Sequence, residues 1–116
     1  MQKTGNLTTI HNATDADLRQ LLYKHDLVIV KFTDKECKVC KALAPSFEAL
    51  ARQTAYNEVL FLRMDANENP VSRKEVKVSS TPFIATYHKA VLLDCGLVST
   101  REEITRMLTR LLEQKA

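Results

Sequence analysis

The chain has 116 residues, 45% of them hydrophobic and 27% charged, and a formal net charge of +3. That length suits one domain around one core, and the balance excludes both intrinsic disorder and a long apolar membrane run. Seventeen basic residues scattered among fourteen acidic ones form no stripe for phosphates, so neither nucleic acid nor a membrane is an expected partner.

Residues 1–25 carry Lys3, His11, Asp15, Asp17 and Arg19 and no continuous apolar stretch, so no secretory signal is read there and a cytoplasmic location is expected. Leu7–Ile10 reads as a short strand. Thr14 and Asp17 form a variant capping box, with Asp where Glu or Gln is commoner. The helix it opens presents Leu18, Leu21, Leu22 and the Tyr23 ring on one face as far as about His25. Leu27–Val30, continuing through Lys31 to Phe32, is a β-branched run without alternation, the pattern of a central parallel strand covered on both faces. From Lys38 to about Tyr56, Leu43, Phe47, Leu50 and Ala51 recur at helical intervals, and Pro45 is expected to bend that helix without ending it.

Val59–Leu62, running on to Met64 and Asp65, reads as a second buried strand. Asn67–Pro70 is turn chemistry, with Pro70 opening a short helix over Val71–Val76. Phe83–Tyr87 and Val91–Asp94 read as an antiparallel hairpin. Its turn, near His88–Lys89–Ala90, lacks the glycine or asparagine that two-residue turns favour, which leaves the register open. Over Thr100–Gln114 a stripe of Ile104, Met107, Leu108, Leu111 and Leu112 marks a terminal helix, opened by Ser99 or Thr100 with Glu102 and Glu103. The α/β order places Cys37 and Cys40 at the carboxyl end of the central strand, where open sheets carry their sites.

Three cysteines are too few to staple a small secreted scaffold, and an isolated Cys-x-x-Cys in such a chain reads as redox chemistry or metal binding. At a helix start the free backbone N–H groups and the positive end of the macrodipole favour thiolate, the reactive form. A second thiol one turn on lies on the same face and can close a small ring, so the spacing suits attack followed by resolution. His25 and His88 match no compact zinc pattern with these cysteines, so no metal is expected, and no organic cofactor is required. Lys35, Lys38 and Lys41 slightly outweigh Asp34 and Glu36 around Cys37 and favour its thiolate. Cys95, next to Gly96, reads first as a small packed hydrophobe and second as a thiol open to mixed-disulfide formation.

The order β-α-β-α-β-α-β-β-α, the cysteine pair after the central strand, Lys41 and Pro45 downstream and Thr81–Pro82 before a later strand together resemble the thioredoxin family over nearly the whole chain. Asp65 with the turn Asn67–Pro70, and Gly96, extend the likeness. The resemblance implies a central mixed sheet flanked by helices on both faces. It implies Cys37 as attacking thiol, Cys40 as resolving thiol and Pro82 as a cis proline facing their disulfide. It also implies a substrate surface formed by Glu36, Lys38, Val39, Thr81, Pro82, Cys95 and Gly96.

Several positions depart from the family pattern. Glu36 and Thr33 stand where thioredoxins usually carry tryptophan, and Lys38–Val39 replaces Gly-Pro between the cysteines. Lys31 falls where a buried aspartate normally assists the second thiol, and Phe61 where the family tends to hold a lysine beside that aspartate. A lysine there stabilises the Cys40 thiolate, or takes its proton when desolvated and neutral; alternatively its stem is buried and its ammonium snorkels to water. The expected activity is reduction of protein disulfides by a monomer supplied with electrons by a thioredoxin reductase. An oxidase or isomerase of the same fold, and a protein-binding module that makes no use of its cysteines, are the rivals.

Overall fold

The computed structural model describes residues 9–115; the expected strand residues Leu7 and Thr8 lie outside that range. Strands β1 (Ile10–Asn12), β2 (Leu27–Thr33), β3 (Leu60–Asp65), β4 (Phe83–His88) and β5 (Val91–Leu97) form one sheet. The helices are α1 (Asp15–Lys24), α2 (Lys38–Ala51), α3 (Pro70–Glu75) and α4 (Arg101–Glu113), with a 3₁₀ turn over Thr54–Tyr56. Strand order is β1-β3-β2-β4-β5. The first three run parallel, whereas β4 is antiparallel to β2 and β5 to β4.

β2 is the centre of this arrangement, buried from Leu27 to Phe32, as its lack of alternation implies. Val28, Val30 and Phe32 point to one face and pack with Leu18, Leu62, Met64 and Val76 beneath α1 and α3. Ile29 points to the other and packs with Phe47, Leu50, Phe61, Ile104 and Leu108 beneath α2 and α4. The expected mixed sheet with helices on both faces is what the chain adopts. Each fully buried Leu, Ile or Phe contributes about 1.5–3 kcal/mol, so the two clusters carry most of the fold's stabilisation.

Several element ends depart from the sequence expectation, beginning with β1, which runs Ile10–Asn12 rather than Leu7–Ile10. α2 continues through Pro45 but stops at Ala51, leaving Thr54–Tyr56 as a separate 3₁₀ turn. β5 extends beyond Asp94 to Leu97, so Cys95 and Gly96 lie inside a strand. The hairpin closes through a two-residue turn in which Lys89 and Ala90 both have positive φ, 51° and 70°, with His88 opposite Val91. Neighbouring elements impose this conformation: the Lys89 N–H donates to the Asp26 carbonyl at 2.8 Å.

Helix starts are tied by side chains both near and far in sequence. The Thr14 N–H donates to the Asp17 carboxylate at 3.2 Å, closing the expected first cap. At α4 the N-cap is Thr100, whose hydroxyl accepts from the Glu103 N–H while the Glu103 carboxylate accepts from the Thr100 N–H. Asp15 reaches across to α3, accepting from the N–H groups of Val71 and Ser72 at 3.0 and 2.8 Å. In return its own N–H donates to the side-chain oxygen of buried Asn69. Burial pushes the Asp15 carboxyl up, but the hydrogen bonds from Ser72 and Val71 outweigh it and hold it below the ordinary 3.8.

Asp15 therefore stabilises the fold fully above its unfolded-state pKa, and that contribution is lost as the pH falls through the depressed folded value. Asp15→Ala is expected to lower the unfolding free energy by about 1.5 kcal/mol at neutral pH, with the deficit closing in acid; urea titrations of both proteins across that range check the magnitude and the sign. At the hairpin, Ala90→Gly removes the Cβ conflict of a left-handed residue and is expected to stabilise by about 0.5–1 kcal/mol, read as a raised denaturation midpoint.

Candidate active site

The turn leaving β2 is built by Asp34. Its carboxylate accepts from the Glu36 N–H at 2.9 Å and from the Asn67 side-chain amide at 2.9 Å, and its carbonyl accepts from the Cys37 N–H at 3.0 Å. These bonds aim the chain into α2 with Cys37 as N-cap. The Cys37 sulfur accepts from the Cys40 N–H at 3.0 Å, so one of the free donors of the first helical turn points at it. Cys37 and Cys40 are joined as a disulfide with Cα atoms 5.2 Å apart. Cys37 is partly exposed, whereas Cys40 is 96% buried beneath it. A pair so placed can cycle between disulfide and dithiol, with one sulfur open to an incoming partner and the other shielded.

Around Cys37 the flanking residues Glu36, Lys38 and Val39 are exposed, as a contact surface requires. Lys35 is turned away, its ammonium 3.2 Å from the Glu68 carboxylate, which leaves less positive charge over Cys37 than the sequence count suggests. The Thr81–Pro82 bond is cis. Phe83 stands opposite Phe32 in the β2–β4 register, so this step lies beside the end of β2 from which the cysteine loop departs. Pro82 is buried, its carbonyl accepting from the Val98 N–H at 3.1 Å, and Thr81 is partly exposed.

Gly96 lies opposite Ile84 and Cys95 opposite Ala85. At about 3.3 Å per residue, Cys95 is some 10 Å along the strand from the Pro82 level. It is an exposed free thiol, so the expectation of a packed small hydrophobe is corrected: β5 is the edge strand of the sheet, paired on one side only. No side chain blocks the space above Gly96, where an added Cβ would meet nothing within 4 Å.

Lys31 is the unexpected centre of the site. It is only 1% exposed, so its ammonium does not snorkel to water. Its Nζ donates to the Cys40 carbonyl oxygen at 3.5 Å and sits 5.3 Å from the centroid of the Phe47 ring. Its neighbour on β3 is Arg63, in direct register, and Phe61 stands two residues earlier beside Ile29. The residue paired with Lys31 is therefore a cation at 63, and Phe61 is paired with Ile29 instead. Burial, and then the Arg63 guanidinium, lower the Lys31 pKa to about 8, while Glu48 draws it the other way. Arg63 carries the signal that singled out Lys31, a charge inside an apolar strand, and sequence reasoning passed over it.

A cavity of about 210 Å³ opens between Lys31, Arg63, Cys40 and Lys41 behind the disulfide. A larger one, about 430 Å³, lies between α1, α3 and the β4–β5 hairpin and is lined by none of the cysteine-loop residues. Only the smaller cavity is lined by a residue of the cysteine pair, the buried Cys40.

Known proteins place these features in context. The thioredoxin family profile matches residues 9–109. A thioredoxin of Rickettsia typhi is 32% identical over 67% of this chain and 74% of its own length. An H-type thioredoxin of Chlamydomonas reinhardtii is 26% identical over 84% of this chain and 86% of its own. Among solved structures, spinach chloroplast thioredoxin f superposes with a TM-score of 0.85 at 20% identity, covering 93% of this chain and 90% of that one. Oxidised mitochondrial thioredoxin 3 of Saccharomyces cerevisiae gives 0.81 at 23% identity, covering 91% and 99%. With its cysteine pair at bonding distance and a profile match over nearly its whole length, the chain belongs to the thioredoxin family and is a thiol-disulfide oxidoreductase.

Proposed function

We propose that this protein reduces protein disulfides in the cytoplasm as a monomer, receiving its electrons from a thioredoxin reductase. The observation that carries the direction of attack is the asymmetry of the cysteine pair: Cys37 is accessible and faces a helix N–H donor, and Cys40 is buried. The Cys37 thiolate attacks one sulfur of the client disulfide, forming a mixed disulfide and releasing the first client thiolate. The Cys40 thiolate then attacks the Cys37 sulfur, the mixed bond breaks, and the second client thiolate leaves. Two electrons pass to the client, which takes up protons from solvent, and the protein ends as the Cys37–Cys40 disulfide. Thr81, beside the cis proline, offers backbone groups to an extended client strand, and Glu36, Lys38, Val39 and Gly96 form the rim.

Lys31 tunes the resolving thiol. An ammonium held against the Cys40 backbone favours the Cys40 thiolate, and the neutral amine present above about pH 8 accepts its proton. Family membership supports the reductase as donor. Glu36 and Lys38–Val39, in place of tryptophan and Gly-Pro, give the docking face a charge pattern of its own, to which donor and clients must conform.

Cys40→Ser is expected to accumulate mixed disulfides through Cys37, resolved as bands that vanish on reduction, and Cys37→Ser to accumulate none. Retained client binding with no covalent trap in either variant would favour the non-catalytic reading.

Lys31→Met is expected to raise the Cys40 pKa in the reduced protein by about 1 unit, followed by thiolate absorbance or cysteine Cβ shifts. A lysine whose folded pKa lies below its unfolded 10.5 costs stability wherever it is protonated, and the cost is relieved as the pH climbs from about 8 towards 10.5. The same variant is therefore expected to be more stable by about 2 kcal/mol at pH 7, with the gain shrinking in alkali. Urea titrations at both pH values give the sign.

A further inference from the structure

Lys31 and Arg63 place two like charges side by side in the sheet, and among the described residues neither forms an ion pair; the pairs present are Lys35 with Glu68, Arg110 with Asp94 and Lys115 with Glu58. Asp34, Asp65 and Lys35 line the same cavity as Lys31, Arg63 and Lys41; Lys35 is paired with Glu68, and the two carboxylates accept from neighbouring donors. Asp34 accepts from Glu36 and Asn67, and Asp65 accepts from the N–H groups of Asn67 and Glu68 at 2.8 and 3.0 Å. Glu48 on α2 is exposed and acts on Lys31 only at a distance. Lys31 Nζ, with three N–H donors, has a single acceptor at 3.5 Å, beyond the usual N–H···O range. Arg63 spends its Nε–H on Asn12, which leaves the guanidinium's remaining donors for another acceptor.

A buried charge without a counter-charge is an expensive state, and proteins relieve it with an acceptor of opposite sign. We propose that the cavity of about 210 Å³ behind the disulfide is a binding site for a small inorganic anion, held by Lys31 and Arg63 with Lys41 at its mouth. The volume is several times the roughly 30 Å³ share of one water molecule, enough for a halide and part of its hydration shell. Lys31 contributes a buried ammonium to the lining, Arg63 a planar donor, and Lys41, which is exposed, a third cation open to solvent. The anion offsets the repulsion between the two cations and so stabilises the fold. Through the Lys31 role proposed above, it also competes with the Cys40 thiolate for the same ammonium. The binding itself does not rest on that role.

The test uses the oxidised protein, without client or reductant, and chloride as the probe. Chloride replaces gluconate at constant ionic strength, which holds general screening fixed, and Tm is followed by circular dichroism alongside the ³⁵Cl NMR line width. The expected result is a saturable rise in Tm of about 4 °C or more with chloride line broadening, both abolished in Lys31→Met and in Arg63→Gln. Each variant is compared with itself in the two salts, so a change in its baseline stability does not enter. No chloride-specific rise, or a rise that persists in either variant, overturns the site. The mixed-disulfide trap is unaffected by that outcome, so failure here is distinguishable from failure of the reductase reading.

Discussion

Burial of β2 on both faces is the constraint from which the site is constructed. Because Leu27–Phe32 is enclosed, the strand's direction and register are set by packing on two sides, and its carboxyl end delivers the Asp34 turn and Cys37 to one place. The partners of β2 complete the geometry. Parallel β3 brings Arg63 beside Lys31 and Asp65 beside Thr33, and antiparallel β4 brings the cis Thr81–Pro82 step to the same edge. A one-residue slip of β2 would turn Lys31 into the opposite core and bring Phe32 to the face that Lys31 now occupies.

The electrostatics invert what the family resemblance implies. Where a carboxylate would resist ionisation of the buried thiol, this chain holds an ammonium, and beside it a guanidinium. Two cations side by side beneath the cysteine loop cost folding free energy, which the surrounding apolar cores offset. The Phe47 ring, 5.3 Å from Nζ, offsets part of that cost through its quadrupole. At the exposed sulfur, the Cys40 N–H of the first turn of α2 favours negative charge on Cys37.

Away from the cysteines, the α1–α3 contact shows how polar groups lock the frame. The Asp15 carboxylate accepts from the Val71 and Ser72 N–H groups and the Asn69 side-chain oxygen accepts from the Asp15 N–H, so each satisfies donors at the other's helix start across more than fifty residues of sequence. Asn69 also donates to the Asp65 carbonyl at the end of β3. The strand that carries Arg63 is thus tied to the helix layer on the opposite face, so its register depends on hydrogen bonds as well as on apolar packing.

Much of this was legible in the residues themselves. The order of elements, the buried central strand, the Thr14–Asp17 capping box and the cysteine motif at a helix start follow from short-range periodicity and side-chain chemistry, which act within a few residues and leave their mark in sequence. Other features depend on which segments meet. That Arg63 rather than Phe61 stands beside Lys31 is a matter of register between strands thirty residues apart. Whether Lys31 reaches water is settled by the helix laid over it, and the exposure of Cys95 by the edge position of β5. The left-handed turn at Lys89–Ala90 runs against local preference and is adopted because strand pairing and the Asp26 carbonyl demand it. The sequence by itself determined the redox pair and the sheet that presents it; only tertiary structure decided the charge beneath that pair, because charge in a protein interior is set by neighbours that the chain brings together last.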